Sequence, residues 1–260
     1  MSPFELHGKT AIVTGASRSG GTGKAIAIEF AKAGADVVVA ARNQEALDEV
    51  AEEIKALDRK CLAVATDICD ADQVDNLVKQ TLETLGRIDI LVNNAGGILN
   101  FNKADTASAS DWRTDIDFNL TGPFLCCAAA GKAMIEQKDG KIINISSCSG
   151  IIPSVLWPSY GAAKAGLNHL TTTLALGWAK HNINVNSICP GVIATEMNKS
   201  FGNLPPDEDA DGNPVPRLRH APDPQEIAFL AVFLSSRASD HITGETIQVG
   251  GPATTGRMVR

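Results

Sequence analysis

Tyrosine is nearly missing from this chain: there is one in 260 residues, Tyr160, and aromatic residues of all kinds make up only 5%. Any chemistry that needs a phenol has a single address. Lysine and arginine form no long run, and the formal charge is −7 with a pI near 5.2. That balance excludes the electrostatic footprint of a nucleic-acid or anionic-membrane binder. No uninterrupted apolar stretch approaches bilayer-spanning length, and Met1 to Lys9 lack the apolar core of a signal peptide. The six cysteines (Cys61, Cys69, Cys126, Cys127, Cys148, Cys189) show neither C-x-x-C nor zinc-like spacing. Free thiols in a reducing compartment, no metal site and a cytosolic location are the expectation. Repeats and linker-like shifts in composition are also lacking, so residues 1–260 read as one domain.

What is present is a regular alternation. Thr10 to Thr14 is a short β-branched run that reads as a strand buried on both faces. Gly15, Gly20, Gly21 and Gly23 follow among small polar residues, and Lys24 to Ala33 reads as a helix closed by Gly34. A strand, glycine-rich turn and helix in this order bring backbone amides and the positive end of the helix dipole close to a pyrophosphate. A flexible glycine loop is the alternative. The next strand, Ala35 to Ala41, ends at Arg42, the position that faces the adenosine ribose. An acid there would bind a 2′-hydroxyl, whereas an arginine accommodates a 2′-phosphate. With Arg18 as a second cation in the turn, NADP(H) is favoured over NAD(H); either arginine could instead be a solvated charge.

Further helices follow, one capped by Asn43 and another opened by Asp70 with Gln73. Strands are expected at Cys61 to Thr66, Ile88 to Val92, Lys141 to Ser147, Ile183 to Cys189 and Glu245 to Val249. The pattern predicts an α/β fold: a doubly wound, Rossmann-type, seven-stranded parallel sheet with helices on both faces. A long helix from Ala109 to about Gln137 carries Asn119 in its middle, and one from about Pro158 to Lys180 carries Tyr160 and Lys164. Glu196 to Pro224 breaks all periodicity and reads as a substrate lid.

Tyr160 and Lys164 stand four apart, which stacks phenol and ammonium on one helical face. Bringing a phenol from pH ~10 to neutrality takes about 4 kcal/mol in favour of the phenolate, part of which a lysine can supply. By itself this spacing also fits a surface tyrosine near an unrelated lysine.

Thr14-Gly15 through Gly23, Asn93-Asn94-Ala95-Gly96, Asn119, Ser147, Tyr160-x-x-x-Lys164 and Pro190-Gly191, in this order, resemble the short-chain dehydrogenase/reductase family. The resemblance covers nearly the whole chain. It implies a catalytic tetrad of Asn119, Ser147, Tyr160 and Lys164, with Ser147 thirteen residues before Tyr160. Tyr160 would pass the proton, Ser147 would share the carbonyl oxygen, Lys164 would lower the tyrosine pKa and bind the nicotinamide ribose, and Asn119 would hold a water. Gly15, Arg18, Gly21, Gly23 and Arg42 would line the cofactor. Asp67 would touch the adenine, Asn94 the adenosine ribose, and Ile193 and Thr195 the carboxamide. Leu99, Ser149, Trp157, Met197 and Phe201 would shape the substrate pocket.

Two departures stand out: five residues separate Gly15 from Gly21 where the family usually has three, and Val249-Gly250-Gly251 has glycine where relatives often carry aspartate. The expected activity is hydride transfer between NADP(H) and a ketone or secondary alcohol. Reduction of 3-oxoacyl groups on an acyl carrier protein, or dinucleotide sensing without turnover, are the alternatives. The resemblance points to a homotetramer.

Overall fold

β-branched residues crowd the central strands because these are covered on both faces. In the computed structural model, which describes residues 2–200, 204, 208 and 211–251, seven strands form one sheet. They are β1 (Thr10–Thr14), β2 (Asp36–Ala41), β3 (Cys61–Ala65), β4 (Ile90–Asn93), β5 (Gly140–Ile145), β6 (Ile183–Pro190) and β7 (Thr246–Val249). Their order is β3-β2-β1-β4-β5-β6-β7 and every pairing is parallel. The chain starts at the centre, runs outward to β3, and returns to lay β4 beside β1 before running the other way. Connections leave the carboxyl ends of β1 and β4 in opposite directions, and an open α/β sheet binds its ligand in the crevice this makes.

The helices are α1 (Thr22–Lys32), α2 (Gln44–Lys55), α3 (Ala71–Leu85), α4 (Ala109–Ile116), α5 (Gly122–Gln137), α6 (Pro158–Trp178), α7 (Glu196–Ser200) and α8 (Pro224–Ser235). Successive strand residues point to opposite faces, so β1 feeds two cores. Ala11 and Val13 pack with Phe30 of α1, Leu47 of α2 and Ile227 of α8. Ile12 packs on the other side with Leu77 of α3, Met134 of α5 and Ala175 of α6. Asn43 caps α2 by accepting from Ala46 N at 3.2 Å, and Asp70 caps α3 by accepting from Asp72 N and Gln73 N. No described helix is long and apolar enough to cross a membrane. All six cysteines are free thiols.

Three expectations need adjustment. α1 opens at Thr22 rather than Lys24, because Gly21 takes the N-cap position. The long helix carrying Asn119 widens into a π-turn, Asp117–Thr121, between α4 and α5. The segment 196–224 is not without structure, since it contains α7 and a short 3₁₀ turn at Arg217–Arg219. Residues 201–203, 205–207, 209 and 210 of it, including the expected pocket residue Phe201, lie outside the described residues. At the end of β7, Gly250 and Gly251 have φ of 151° and 64°, and a Cβ on Gly251 would strike the Leu218 carbonyl at the base of that segment. Glycine there lets the two backbones touch.

Candidate active site

The carboxyl ends of β1 and β4 are sewn together by side chains. Thr14 Oγ1 accepts from Asn94 N at 3.0 Å and Ala95 N at 3.1 Å. Asn94 Nδ2 donates to Thr14 O at 2.9 Å and Gly15 O at 3.1 Å. Both amide protons of Asn94 are thus spent on holding the glycine turn. Gly15 has φ +68°, and a Cβ on it would lie 2.8 Å from Ala95 Cα. A Cβ on Gly23 would collide with the Gly15 carbonyl and the Asn94 carboxamide.

α1 starts directly above this seam with no side-chain cap and no acid in its first turn. Its unpaired amides and dipole are therefore available to an anion, and the turn fits the pyrophosphate of a dinucleotide. Around the extra residues the turn closes by a bond from Gly21 N to Arg18 O at 3.1 Å. The inserted Gly20, φ +62°, leans toward α7, where a Cβ would stand 3.0 Å from Glu196 Cγ. Arg18 is exposed on the same turn.

Arg42 is exposed just beyond β2, and Asp67 follows β3 with its Oδ1 accepting from Cys69 N at 3.0 Å. Burial first, then the Asp67 and Asp117 carboxylates, push the Cys69 thiol up to about 11, with Arg42 opposing. Arg42 and Asp67 thus share one end of the crevice. Beyond β6, Ile193 O accepts from Thr195 N at 2.8 Å and Asn198 Nδ2 at 2.7 Å, and Thr195 Oγ1 accepts from Asn198 N at 3.3 Å. This locks the strand exit onto α7.

The four residues expected to act together do converge. The π-turn carries Asn119, which is fully buried. Its Oδ1 accepts from Gly97 N at 2.9 Å, and its Nδ2 donates to Gly97 O at 2.9 Å and Asp115 O at 3.0 Å. A Cβ on Gly96 would stand 3.0 Å from both Asn119 Oδ1 and Lys164 Nζ, so amide and ammonium meet over one glycine. Ser147, just past β5, accepts from Ser149 N at 3.1 Å, and its hydroxyl acts on the Tyr160 phenol to favour the charged form. Lys164 Nζ lies 5.7 Å from the Tyr160 ring centroid and donates to Ile145 O at 2.9 Å.

Burial dominates the electrostatics of Tyr160 and Lys164. Burial pushes the Tyr160 phenol up to about 12, with the Ser147 hydroxyl opposing. Burial likewise brings Lys164 down to about 8. The four-residue spacing places the ammonium over the ring face, and with one proton on the Ile145 carbonyl it does not outweigh desolvation of the phenolate.

Two residues had no signal in the hydrophobic pattern. Asp115, fully buried on α4, accepts from Ser159 Oγ at 2.5 Å and from Leu99 N at 3.3 Å. Their positions offered a clue: Asp115 lies one turn before Asn119 and Ser159 adjoins Tyr160. At the mouth, Trp157 Nε1 donates to Ser149 Oγ at 3.2 Å, and Phe101 meets the Trp157 ring edge-on at 6.1 Å. Leu99, Ile151, Val155 and Leu156 are exposed nearby in sequence.

A nucleotide-ready turn at the sheet's switch point, with a phenol, a hydroxyl and an ammonium beside it, defines a dinucleotide-dependent oxidoreductase class. Residues 9–204 match the family model of short chain dehydrogenases. A 3-oxoacyl-[acyl-carrier-protein] reductase of Synechocystis sp. is 41% identical, over 95% of this chain and 97% of that protein. A 2-dehydro-3-deoxy-D-gluconate 5-dehydrogenase of Escherichia coli is 37% identical, over 96% and 97%. The solved structure of a 7α-hydroxysteroid dehydrogenase, complexed with NADH and 7-oxo glycochenodeoxycholic acid, aligns with TM-score 0.86 at 33% identity over 96% of each chain. The chain belongs to the short-chain dehydrogenase/reductase family and is an NAD(P)-dependent oxidoreductase.

Proposed function

We propose that the protein interconverts a ketone and a secondary alcohol with NADP(H) as the preferred cofactor, Tyr160 serving as the general acid and base. The observation that carries this is the convergence of Ser147, Tyr160, Lys164 and Asn119 beside the glycine turn. Gly15, Gly21 and Gly23 would hold the pyrophosphate with the α1 amides, Arg42 and Arg18 the 2′-phosphate, Asp67 the adenine, and Ile193 and Thr195 the carboxamide. A nicotinamide bound there supplies or accepts the hydride. As charge grows on the carbonyl oxygen, Ser147 and Tyr160 donate hydrogen bonds to it, and Tyr160 gives up its proton.

A phenol held protonated by burial suits the acid of a reduction. Lys164, brought down to about 8 by burial, is poised to resupply the proton, and Asn119 links it to solvent through a water. The apolar mouth formed by Phe101, Trp157 and Leu156 favours a substrate with a hydrophobic body, closed over by a lid at 196–224.

Replacing Tyr160 by Phe tests the assignment. Turnover should fall by at least 10³-fold while cofactor binding stays nearly intact. Retained turnover would refute it, and a protein that merely senses dinucleotides would show no turnover to lose.

The Synechocystis relative favours a second reading, reduction of a 3-oxoacyl thioester. An acidic carrier protein needs a basic docking patch, and the cations here, such as Lys138 and Lys180, are scattered over an acidic chain. A panel of ketones, alcohols and 3-oxoacyl thioesters, followed by NADPH absorbance, separates the two. One catalytic domain in a homotetramer belongs to the same proposal, supported by exposed Phe124 on α5 and Leu176 on α6. Free thiols support a cytoplasmic location.

A further inference from the structure

The helix that carries Tyr160 begins without a cap. Trp157 stands at the N-cap position of α6, no side chain accepts from the first-turn amides, and Pro158 opens the helix. The start of a 21-residue helix must then be fixed from outside it. A buried carboxyl on a neighbouring helix is placed to do this. Asp115 of α4 takes the Ser159 hydroxyl at 2.5 Å, the Leu99 amide at 3.3 Å and, on its own backbone carbonyl, the Asn119 amide at 3.0 Å. Ser159 is the residue before Tyr160. Leu99 lies two residues after Gly97, whose N–H and C=O are both held by Asn119. The carboxyl therefore joins the onset of α6 to the segment leaving β4, and the backbone of the same residue holds the π-turn. A carboxyl beside a helix's first turn also faces the positive end of its dipole.

We propose that Asp115 is a positioning residue for proton transfer: through Ser159 it sets where α6 begins, and so where the Tyr160 hydroxyl stands against Ser147. This rests on the reading of Tyr160 as the proton-transferring group. A buried aspartate that only satisfied its neighbours would contribute to stability alone. The two roles separate because replacing both members of a buried polar pair by apolar groups relieves the unpaired partner, while the tie itself stays broken.

The test uses Asp115→Val, Ser159→Ala and the double variant. Each single variant should lower kcat on the order of 10–100-fold, with cofactor KM changed less than about twofold. Asp115→Asn, which keeps one acceptor oxygen, should lose less than Asp115→Val. The double variant should regain thermal stability over Asp115→Val but not kcat.

Because the chain has a single tyrosine, tyrosine labelled with 13C at Cζ gives one resonance, recorded with neither substrate nor cofactor. It should shift or broaden in Ser159→Ala and Asp115→Val. Wild-type kcat or an unmoved resonance in Ser159→Ala would each overturn the proposal, as would a double variant whose kcat returns with its stability. If Asp115→Val does not fold, Ser159→Ala decides alone. Failure of the underlying reading is seen separately, as turnover surviving in Tyr160→Phe, whereas an unmoved resonance removes the positioning role whatever Tyr160 does.

Discussion

The Lys164 ammonium, one turn along α6 from Tyr160, lies over the phenol ring at 5.7 Å from its centroid and donates to the Ile145 carbonyl at 2.9 Å. It is 2% exposed, and burial lowers its pKa from 10.5 to about 8. Below about pH 8 both folded and unfolded chains carry the proton, and the cost of burying the charge is fully present. Between about pH 8 and 10.5 the unfolded chain binds a proton that the folded chain has released, so the Lys164 contribution to stability rises with pH. Lys164→Met should raise stability near pH 7 by ~1–3 kcal/mol, flatten that rise, and cut kcat by roughly 10²-fold or more. Denaturation midpoints at the two ends of the window check it; a less stable variant at neutral pH would contradict it.

Gly23 sits where α1 crosses the seam between β1 and β4, and a side chain there meets the Gly15 carbonyl and the Asn94 carboxamide. Gly23→Ala should displace the start of α1, cost ~1–3 kcal/mol of stability and weaken cofactor binding about tenfold or more. Tryptophan quenching on titration with NADPH reads the affinity, and an unchanged Kd would show that the turn does not hold the cofactor.

Arg42 stands alone of its sign at the end of β2, with no acid in its place. The wild-type protein should prefer NADPH. Arg42→Asp should raise KM for NADPH roughly 10–100-fold, the worth of a charge-assisted bond to phosphate, and improve the use of NADH. Steady-state kinetics with both cofactors decide this, and a wild-type preference for NADH would remove the role assigned to Arg42.

Asp89 anchors the opposite, amino-terminal edge of the sheet. Its nearly buried carboxylate accepts from Thr10 N at 2.9 Å, Arg87 Nε at 2.7 Å and Lys9 Nζ at 3.1 Å. Asp89→Ala leaves Thr10 N without its acceptor, while Lys9 keeps Asp139 at 2.9 Å and Arg87 reaches solvent, and should cost ~1–3 kcal/mol. Because the network lies at the far end of the strands from Tyr160, kcat measured well below the melting temperature should not change. Thermal unfolding together with kcat tests both halves of the expectation.

Sequence alone determined the strands, the helices between them, their caps at Asn43 and Asp70, the glycine turn and the helical face shared by Tyr160 and Lys164. All of these follow from periodicity or from contacts between residues a few positions apart, which a linear chain displays directly. The parallel orientation of the strands also followed, since each crossover helix returns the chain to the same edge, whereas their order in the sheet did not. Tertiary structure decided what depends on burial and on distant partners. The π-turn at Asn119 leaves no mark in a hydrophobic pattern. Asp115 and Ser159 meet across 44 residues, and Asn94 turns inward to the glycine turn because β1 and β4 happen to be neighbours. The direction of the Tyr160 pKa is of the same kind. Spacing put a cation one turn away, but only the packing around the phenol determines how much water it loses, and desolvation is the largest influence on it.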